Sequence, residues 1–345
     1  MKYPNTSGEP VVDRRQAVEL GAAGAILLGL AGCSSSDDDD STGSAAASGS
    51  ASTDDATEDA EEEDEEESEA VEIDADAYDE LIATGPVADD DVIAASTWAQ
   101  AVKDAGTLRV GGVETSTLFS LLNEVDGEVR GFDAGLSQFL ARYITGDEAN
   151  KELLQVTSDT RESVLQNDQV DAVFATYSIT EERQEVISFA GPYYTTQQSI
   201  LVTADNEDIN GVDDLAGKNV AVQSGSTGPE ILEEYAPEAI AQEFTTDEEA
   251  RTALTQGRVD AYVIDTNMQL GAMANNPGKY RLAGDPFGPV DEYGIGLPLD
   301  SDGVDFVNDF LQEIEDEGLW SELWQICIGD RADVDEVPDP PEIGV

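Results

Sequence analysis

The sequence predicts an α/β fold made of two similarly built lobes, and two observations carry this prediction. From Trp98 onward, short runs rich in β-branched residues alternate with amphipathic helical segments, a pattern typical of α/β proteins. In addition, the run Leu165–Val173 recurs 89 residues later as Leu254–Tyr262. Each copy reads as a helix end, a tight turn and a buried strand, so we expect two lobes rather than one continuous sheet.

The individual elements follow from local patterns. We predict a helix that Asp133 caps and Gly146 ends, because the apolar residues between them follow helical spacing. The predicted strands are Leu108–Val113, Val170–Thr176, Ile200–Thr203, Val220–Gln223, Ala261–Asp265 and Ile295–Leu297.

Composition excludes several functions. The 345 residues carry a net charge of -60 and include no histidine, which is the commonest metal ligand and a frequent general base. So acidic a chain repels the phosphates of nucleic acids and the surface of an anionic membrane. We therefore predict no metal, no cofactor and no nucleic-acid partner.

The acidic excess extends beyond one segment. Residues 34–95 hold 24 acidic residues and no basic ones, and residues 96–345 still hold 49 acidic against 13 basic residues. At molar salt the screening length falls to about 3 Å, so self-repulsion largely vanishes. We interpret the chain as a salt-adapted protein of haloarchaeal type.

Residues 1–33 resemble a twin-arginine export signal that ends in a lipoprotein box. An Arg14-Arg15 pair precedes the apolar stretch Leu20–Ala31, and a Leu-Ala-Gly-Cys box ends at Cys33. The alternative is a transmembrane anchor, but the stretch is shorter than the ~20 residues that span a bilayer. We expect lipidation of Cys33 and anchoring at the outer face of the cytoplasmic membrane.

Two further segments flank the predicted folded part. Residues 34–95 are dominated by Ser, Asp, Glu, Ala and Gly, and such a composition predicts a disordered, extended acidic tether. A partner-binding acidic tail is the alternative. Residues 331–345 are expected to form a polar tail, and Cys327 is the only thiol besides the one that we expect to be lipidated.

Two arginines stand where a cation is unfavourable. Arg161 and Arg183 fall in the first turn of predicted helices, after Ser158 and Thr180 as expected caps. A cation at this end of the helix dipole costs about 0.3–1 kcal/mol at exposed sites. A bound anion nearby would explain both, since guanidinium grips a carboxylate with two hydrogen bonds. Pairing with a neighbouring acid is the alternative.

The loop Ser224–Pro229 follows a predicted strand that ends at Gln223 and opens a helix. Small residues such as Ser226 and Thr227 leave backbone N–H groups and hydroxyls free to surround a carboxylate. The loop lacks the Gly-Lys-Ser/Thr ending of a nucleotide-binding loop, and a plain turn is the alternative. Asp265 ends a buried strand, where it could accept an ammonium group or cap the next helix.

Several motifs resemble the family 3 extracellular solute-binding proteins, which bind polar amino acids. They are Gly131–Asp133, Ala175–Arg183, Phe189–Tyr194, Ser224–Thr227, Gly257–Ala261 and Tyr293–Gly296. The resemblance implies a periplasmic-binding-protein-like fold of type II, with two α/β lobes joined by a two-strand hinge. It places lobe 1 at 104–202 plus 288–330 and lobe 2 at 203–287.

The resemblance also implies roles for the residues noted above. Asp265 would accept the α-ammonium group of an amino acid, and Arg161 would reach the distal group of an acidic ligand. Arg183 would grip the α-carboxylate, and the residues expected to help it are Thr176, Ser178 and Thr227.

One departure from the family pattern affects the ligand. Relatives that bind acidic amino acids tend to carry Lys-Tyr-Asp where this chain has Val113-Glu114-Thr115, which weakens the case for glutamate relative to glutamine or another polar amino acid. Phe119 is expected to pack either against the ligand or in the core.

The resemblance leads to a single predicted function. We expect a monomeric lipoprotein at the cell surface that captures a polar amino acid, glutamate or glutamine, and delivers it to the permease of an importer driven by an ATP-binding cassette. The alternatives are an enzyme on the same fold, such as a dehydratase or lyase, and a ligand-sensing surface protein.

Overall fold

A computed structural model describes residues 70–334 and 336–344. The predicted export signal, Cys33 and the predicted tether up to residue 69 lie outside the described residues. No helix of the described part is long and apolar enough to cross a membrane. The helices are α1 (Ala75–Ala83), α2 (Asp90–Ile93), α3 (Thr97–Ala105), α4 (Phe132–Thr145), α5 (Arg161–Gln166), α6 (Glu181–Gln184), α7 (Gly228–Tyr235), α8 (Asp247–Thr255), α9 (Thr266–Ala274), α10 (Gly303–Asp316), α11 (Leu319–Trp324) and α12 (Asp330–Ala332).

The strands divide between a large and a small sheet. They are β1 (Leu108–Gly112), β2 (Thr115–Ser116), β3 (Ser120–Leu122), β4 (Val129–Arg130), β5 (Lys151–Gln155), β6 (Ala172–Val173), β7 (Ser188–Thr203), β8 (Asn219–Gln223), β9 (Ile240–Phe244), β10 (Ala261–Asp265), β11 (Tyr280–Leu282) and β12 (Phe287–Leu297). Strands β2, β3 and β4 form the small antiparallel sheet.

In the described part of the chain, nine strands form the large sheet in the order β5-β1-β6-β12-β7-β10-β8-β9, with β11 paired to β7. Two parallel groups, β5-β1-β6 and β10-β8-β9, flank the long antiparallel strands β7 and β12. The expectation of two separate sheets is wrong, because β7 and β12 run through both lobes. Each lobe is one half of the sheet with its helices.

The core of the first lobe lies beneath α4. Leu136, Phe139 and Leu140 are fully buried there and belong to one apolar cluster with residues of α10 and α11. Their spacing of three and four residues gives α4 an apolar stripe that faces this core. Gly146 ends the helix in the left-handed conformation, as predicted.

Asp133 does not cap α4, contrary to the prediction. The helix starts at Phe132 after Gly131, and the Asp133 carboxylate is fully buried. It accepts hydrogen bonds from the amide of Thr176 at 2.7 Å and from the hydroxyl of Tyr193 at 2.8 Å. Asp133 therefore ties α4 to the loop after β6 and to β7.

The second lobe has apolar cores on both faces of its half-sheet. Val220 and Val222 pack with Leu232 of α7, whereas Ala221 between them packs with Leu254 of α8. Successive side chains of a strand point to opposite faces. Helices α7 and α8 therefore cover opposite faces of the sheet.

The internal sequence repeat has the same local structure in both lobes. The Asp171 carboxylate accepts from the amide of Arg109 at 2.8 Å, and its own amide donates to the Arg109 carbonyl at 2.7 Å. Asp260 and Asn219 make the same two contacts, each at 2.7 Å. Asp171 thus fixes the start of β6 to the parallel strand β1, and Asp260 fixes the start of β10 to the parallel strand β8.

Strands β7 and β12 connect the lobes. They pair from Ser188 opposite Leu297 to Gln198 opposite Phe287, with irregular register along the way. From Gln198 to Leu201, β7 also pairs with β10 of the second lobe. The lobe boundary after residue 202 stays a prediction.

The end of the predicted tether is folded, so that prediction is wrong for residues 75–93. Helix α1 buries Tyr78, Leu81 and Ile82, whose helical spacing is hidden among acidic residues. The Tyr78 hydroxyl donates to the side-chain oxygen of Gln138 at 2.7 Å. Helix α1 is therefore part of the first lobe.

The predicted polar tail 331–345 also packs against the first lobe. Arg331 is 8% exposed, and its guanidinium donates to the carbonyl of Thr117 at 2.5 Å. Val337 and Ile343 pack against the core of the lobe. Apolar residues in a tail of polar composition provide this attachment.

We predict that Gly131→Ala destabilises the protein more than Gly146→Ala. Both glycines have positive φ, but a Cβ at Gly131 would lie 2.7 Å from the Ser120 amide nitrogen, whereas one at Gly146 meets no atom within 4 Å. We expect an additional loss of about 1–3 kcal/mol in the free energy of unfolding, measured by urea denaturation in molar salt. Equal losses in the two variants would contradict this account of the turn.

Candidate functional site

The loops after β6, β8 and β10 meet where the two lobes face each other. Arg161 and Arg183 of the first lobe both donate to the carbonyl of Gly225 in the second. Asp265, at the end of β10, accepts a hydrogen bond from Gln198 of β7. The carboxyl ends of the parallel strands, where ligands bind in open α/β sheets, thus lie beside the strands that join the lobes.

Arg183 is positioned by the short helix α6. Thr180 caps this helix as predicted, since its hydroxyl accepts from the Arg183 amide at 3.2 Å. Arg183 is 9% exposed, and its guanidinium donates to the carbonyls of Ser178 at 2.7 Å and Gly225 at 2.9 Å. Its Nε lies 3.7 Å from a carboxylate oxygen of Glu162, so the acid considered as an alternative partner is present at a long distance.

Arg161 is the first residue of α5, and it is 3% exposed. Ser158 does not cap this helix; the preceding residue is Thr160, whose side chain makes no capping bond. The guanidinium donates to the carbonyls of Ala175 at 3.0 Å and Thr176 at 3.4 Å. Among the described residues, its Nε has no hydrogen-bond partner.

The two guanidinium groups create a buried positive region. Arg161 lies over the ring of Tyr177 at 4.0 Å and Arg183 at 5.3 Å, a cation–π arrangement. Burial, together with the charge of Arg183, lowers the pKa of Arg161 to about 10. Within the described residues, no carboxylate oxygen lies within 4.0 Å of Arg161. Its charge is therefore available to an anion.

Asp265 occupies the N-cap position of α9, but its side chain makes no capping hydrogen bond. The carboxylate, in a residue 6% exposed, accepts from the Gln198 amide and from the Tyr293 hydroxyl, the latter at 2.6 Å. Burial and the charge of Asp291 raise the pKa of Asp265 to about 7. The contacts therefore favour the interpretation of Asp265 as a buried acid of the cleft over that of a helix cap.

Asp291 is a site residue that the sequence reasoning missed. It lies on β12 and is 8% exposed, and its carboxylate accepts from the Thr227 hydroxyl at 3.3 Å. Burial raises its pKa, and hydrogen bonding to the carboxylate opposes this rise. Asp291 lies at the site because β12 crosses beside the Ser224–Pro229 loop. No local sequence motif could have indicated this position.

Thr176 and Ser178 contribute mainly through their backbone. Thr176 has φ of +43°, which is unusual for a β-branched residue, and its carbonyl accepts from Arg161. The buried Ser178 forms a β-bridge with Tyr293. Both carbonyls therefore point toward the arginines.

The loop after β8 divides into a part at the cleft and a part that supports it. Ser226 donates to the Gln223 carbonyl at 2.8 Å and accepts from the Gly228 amide at 3.1 Å, so its hydroxyl stabilises the loop itself. The Gln223 side chain donates to Thr245 at 3.5 Å, within its own lobe. Of the predicted loop residues, only Thr227 contacts the buried acids.

Phe119 is a core residue. It is fully buried, and its ring packs edge-on against Tyr194 and Tyr293, with centroids 5.2 Å and 6.3 Å away. Of the two expectations for Phe119, the structure supports core packing. The ring supports Tyr293, which donates to Asp265.

A cavity of about 430 Å³ opens at the boundary between the lobes. Arg183, Ser226 and Thr227 line it, together with Ser158 of the first lobe. The wall also carries five acids: Asp159, Glu162, Glu182, Glu185 and Glu230. The cavity is large enough for an amino acid, and it has one guanidinium among many carboxylates.

Residues 108–329 match the sequence model of a family described as bacterial extracellular solute-binding proteins, family 3. The chain is 38% identical over 229 residues to the glutamine-binding protein GlnH of Bacillus subtilis, covering 65% of this chain and 82% of that protein. It is 32% identical over 234 residues to the glutamate-binding protein GluB of Corynebacterium glutamicum, covering 64% and 79%. The resemblance read from the motifs is confirmed.

The structure is similar to that of a solute receptor for L-cysteine from Neisseria gonorrhoeae. The TM-score is 0.67 at 21% identity, with 71% of this chain and 99% of that chain covered. At this identity the similarity concerns the fold alone. It confirms the predicted type II fold of two α/β lobes.

We predict that Asp133→Asn flattens the pH dependence of stability. Burial raises the pKa of Asp133 to about 7, so the folded state binds a proton that the unfolded state has released above its ordinary pKa. The contribution of protonated Asp133 to the free energy of unfolding is complete at acidic pH. It is lost as pH rises to about 7, by at most about 1.4 kcal/mol per pH unit.

The variant should therefore gain stability relative to the parent as pH rises from 4 to 7. Urea unfolding at fixed molar salt measures this difference, with Glu124→Gln, an exposed acid, as the control. Parallel stability profiles for parent and Asp133→Asn would show that the buried carboxyl does not titrate as described.

Proposed function

The chain belongs to the bacterial extracellular solute-binding proteins of family 3, and from this membership we infer that it captures a polar amino acid for an importer driven by an ATP-binding cassette. Members of this family are binding proteins, so the chain is not an enzyme. A dehydratase or lyase function is therefore set aside. What this chain binds is argued below from its own residues.

One observation carries the proposal: two buried guanidinium groups, of Arg161 and Arg183, and two buried acids lie at the boundary between the lobes. An amino acid presents one carboxylate and one ammonium group close together, so it complements this arrangement. Arg183 would hold the α-carboxylate with two parallel hydrogen bonds. Asp265 would accept the α-ammonium group.

Unpartnered polar atoms near these groups support the same interpretation. Among the described residues, Arg161 Nε, Gln198 Oε1 and Asn267 Nδ2 are buried without a hydrogen-bond partner. Leaving such groups unpaired costs about 1–3 kcal/mol each. A polar ligand in the cleft would satisfy them.

Glutamine and glutamate are the favoured ligands, and the charges favour glutamine. A second ligand carboxylate would depend on Arg161, whose guanidinium already serves three carbonyl oxygens. It would also lie near the acidic wall of the cavity, which repels anions. An amide avoids both costs and can both donate and accept hydrogen bonds.

Capture would proceed by closure of the lobes about β7 and β12. A ligand stabilises the closed form only through its higher affinity for that form. Contacts between the lobes are available for this purpose: Gly225 accepts from both arginines, and Ser224 donates to Asp159 at 2.7 Å. Binding and closure require no catalytic step.

The location of the protein is part of the proposal. A lipid on Cys33 would anchor the chain outside the cell, where the acidic segment that follows would separate the folded part from the membrane. The protein would act as a monomer beside its permease. Its acidic surface fits a saline environment, in which surface charges are screened.

We predict that Arg183→Lys weakens amino-acid binding about 10- to 100-fold, or roughly 1.4–2.7 kcal/mol. Lysine keeps the charge but loses the two-point grip on a carboxylate. Calorimetric titration of the full chain with a panel of amino acids, in molar potassium chloride, measures the change.

Arg251→Lys is the matched control, because Arg251 is paired with Asp247 at 2.7 Å within the second lobe. It should bind like the parent. Asp265→Asn should lose most of the affinity. Unchanged binding by Arg183→Lys and Asp265→Asn, or chemical turnover of a bound amino acid, would exclude this site and function.

A further inference from the structure

Asp291 lies where the two lobes and the connecting strands meet. It belongs to β12 and pairs through its backbone with Thr196 of β7. Its carboxylate accepts from the hydroxyl of Thr227 in the second lobe at 3.3 Å. An acid on a connecting strand is therefore hydrogen-bonded to the loop of the second lobe.

A short chain of hydrogen bonds joins Asp291 to Asp265. The Gln198 amide donates both to Asp265 and to the Thr227 hydroxyl, the latter at 3.4 Å. That hydroxyl in turn donates to Asp291. Two side chains thus link the two carboxylates, and both acids are more than nine-tenths buried.

Neither acid has an ion-pair partner in the described part of the chain. No lysine or arginine nitrogen lies within 4.0 Å of either carboxylate. The charged and titratable groups that face the pair are Arg161, Arg183, Tyr293 and, toward Asp265, Tyr262. The arginines favour ionisation of both acids but do not contact them.

Two buried carboxylates that are joined by a short chain of hydrogen bonds and lack ion-pair partners do not readily ionise together. Burial and the charge of Asp291 raise the pKa of Asp265 to about 7, and burial raises the pKa of Asp291. The two acids titrate as one system, so a proton belongs to the pair rather than to either residue. A cation bound beside both carboxylates would offset their mutual repulsion, so the pair would no longer retain the proton.

We propose that Asp291 is a second acceptor for the ligand's ammonium group, and that Asp265 and Asp291 share one proton, which is released when the ammonium enters. This rests on the proposed function, in which the ligand is an amino acid. One carboxyl O–H bond ionises and its proton passes to solvent, while the ammonium keeps its own three. The charge of the acid pair changes from minus one to minus two.

The proposal fixes the direction of a pH effect. Below neutral pH the shared proton competes with the ammonium group, so affinity falls as pH falls, by at most about tenfold per pH unit. Well above neutral pH the pair is already ionised, and binding releases no proton. Asp291→Asn removes the competition and flattens this dependence.

The shared proton is tested first without any ligand. The chain contains no histidine, so few groups titrate near neutral pH, and potentiometric titration of the full chain in molar potassium chloride can resolve one proton. Between pH 8.5 and 6, the parent should take up more protons than Asp291→Asn, by up to one, because the variant lacks the charge of Asp291 that helps to raise the pKa of Asp265. Glu292→Gln, which removes the next, exposed acid of the same strand, should match the parent. Identical curves for the parent and Asp291→Asn would overturn the proposal.

The release on binding is tested by calorimetry with L-glutamine and, separately, L-glutamate. Titrations of the unmodified chain at pH 7, in two buffers of different ionisation enthalpy, give the number of protons released. We expect a value between zero and one that falls toward zero at pH 9 and is smaller in Asp291→Asn. Binding without proton release at pH 7, or undiminished release from Asp291→Asn, would overturn it.

The two experiments separate this proposal from the proposed function. If no amino acid binds, the proposed function fails, and with it the role of Asp291 as an ammonium acceptor. The shared proton is then still decided by the ligand-free titration. If an amino acid binds tightly while the titration curves coincide, the proposed function stands and the proton pair is rejected.

Discussion

Burying two guanidinium groups next to each other is unfavourable unless their N–H donors find acceptors and their positive charges are compensated. This requirement determines the arrangement of the cleft. Arg161 and Arg183 lie over Tyr177 and donate to carbonyl oxygens, including that of Gly225, which they share. Carbonyls satisfy N–H donors but do not neutralise charge. The positive charge that remains is what a carboxylate ligand requires.

The long strands β7 and β12 determine which groups can meet that charge. Gln198 and Asp291 lie on these strands, whereas Thr227, which donates to Asp291, lies in the loop after β8 in the second lobe. A change in the angle between the lobes therefore alters the contact of Asp291 with the Thr227 hydroxyl. Protonation of the acid pair and the position of the lobes are coupled through the same few hydrogen bonds.

The sequence was most informative where function depends on local chemistry. Arg183 could be found because it falls in a short capped helix within a recognisable motif, and Asp265 because it ends a buried strand. The repeat that predicted two lobes reflects one turn, fixed in each lobe by the same acid, Asp171 or Asp260. Such features depend on neighbouring residues and can be read from a short window.

The residues whose roles the sequence did not predict are those that depend on contacts distant in the sequence. Asp291 reaches the site only because β12 crosses beside the loop after β8. The position of Asp133 in the sequence predicts a helix cap, but its actual partners, Thr176 and Tyr193, are distant in the sequence and cannot be read from a local window. The apolar residues of α1 were overlooked because acidic neighbours dominate the composition. Sequence reasoning failed wherever a long-range contact determines a residue's role.

The two kinds of acid in this chain respond differently to salt. At molar ionic strength the screening length is about 3 Å, so exposed carboxylates neither repel one another strongly nor steer a ligand over a distance. Asp265 and Asp291 are shielded from that screening because they are buried. Selectivity for a charged ligand must then come from contacts made inside the cleft. An acidic surface and a set of interacting buried charges are therefore compatible. Salt screens the repulsion between surface carboxylates, whereas it leaves the interactions among the buried charges largely intact.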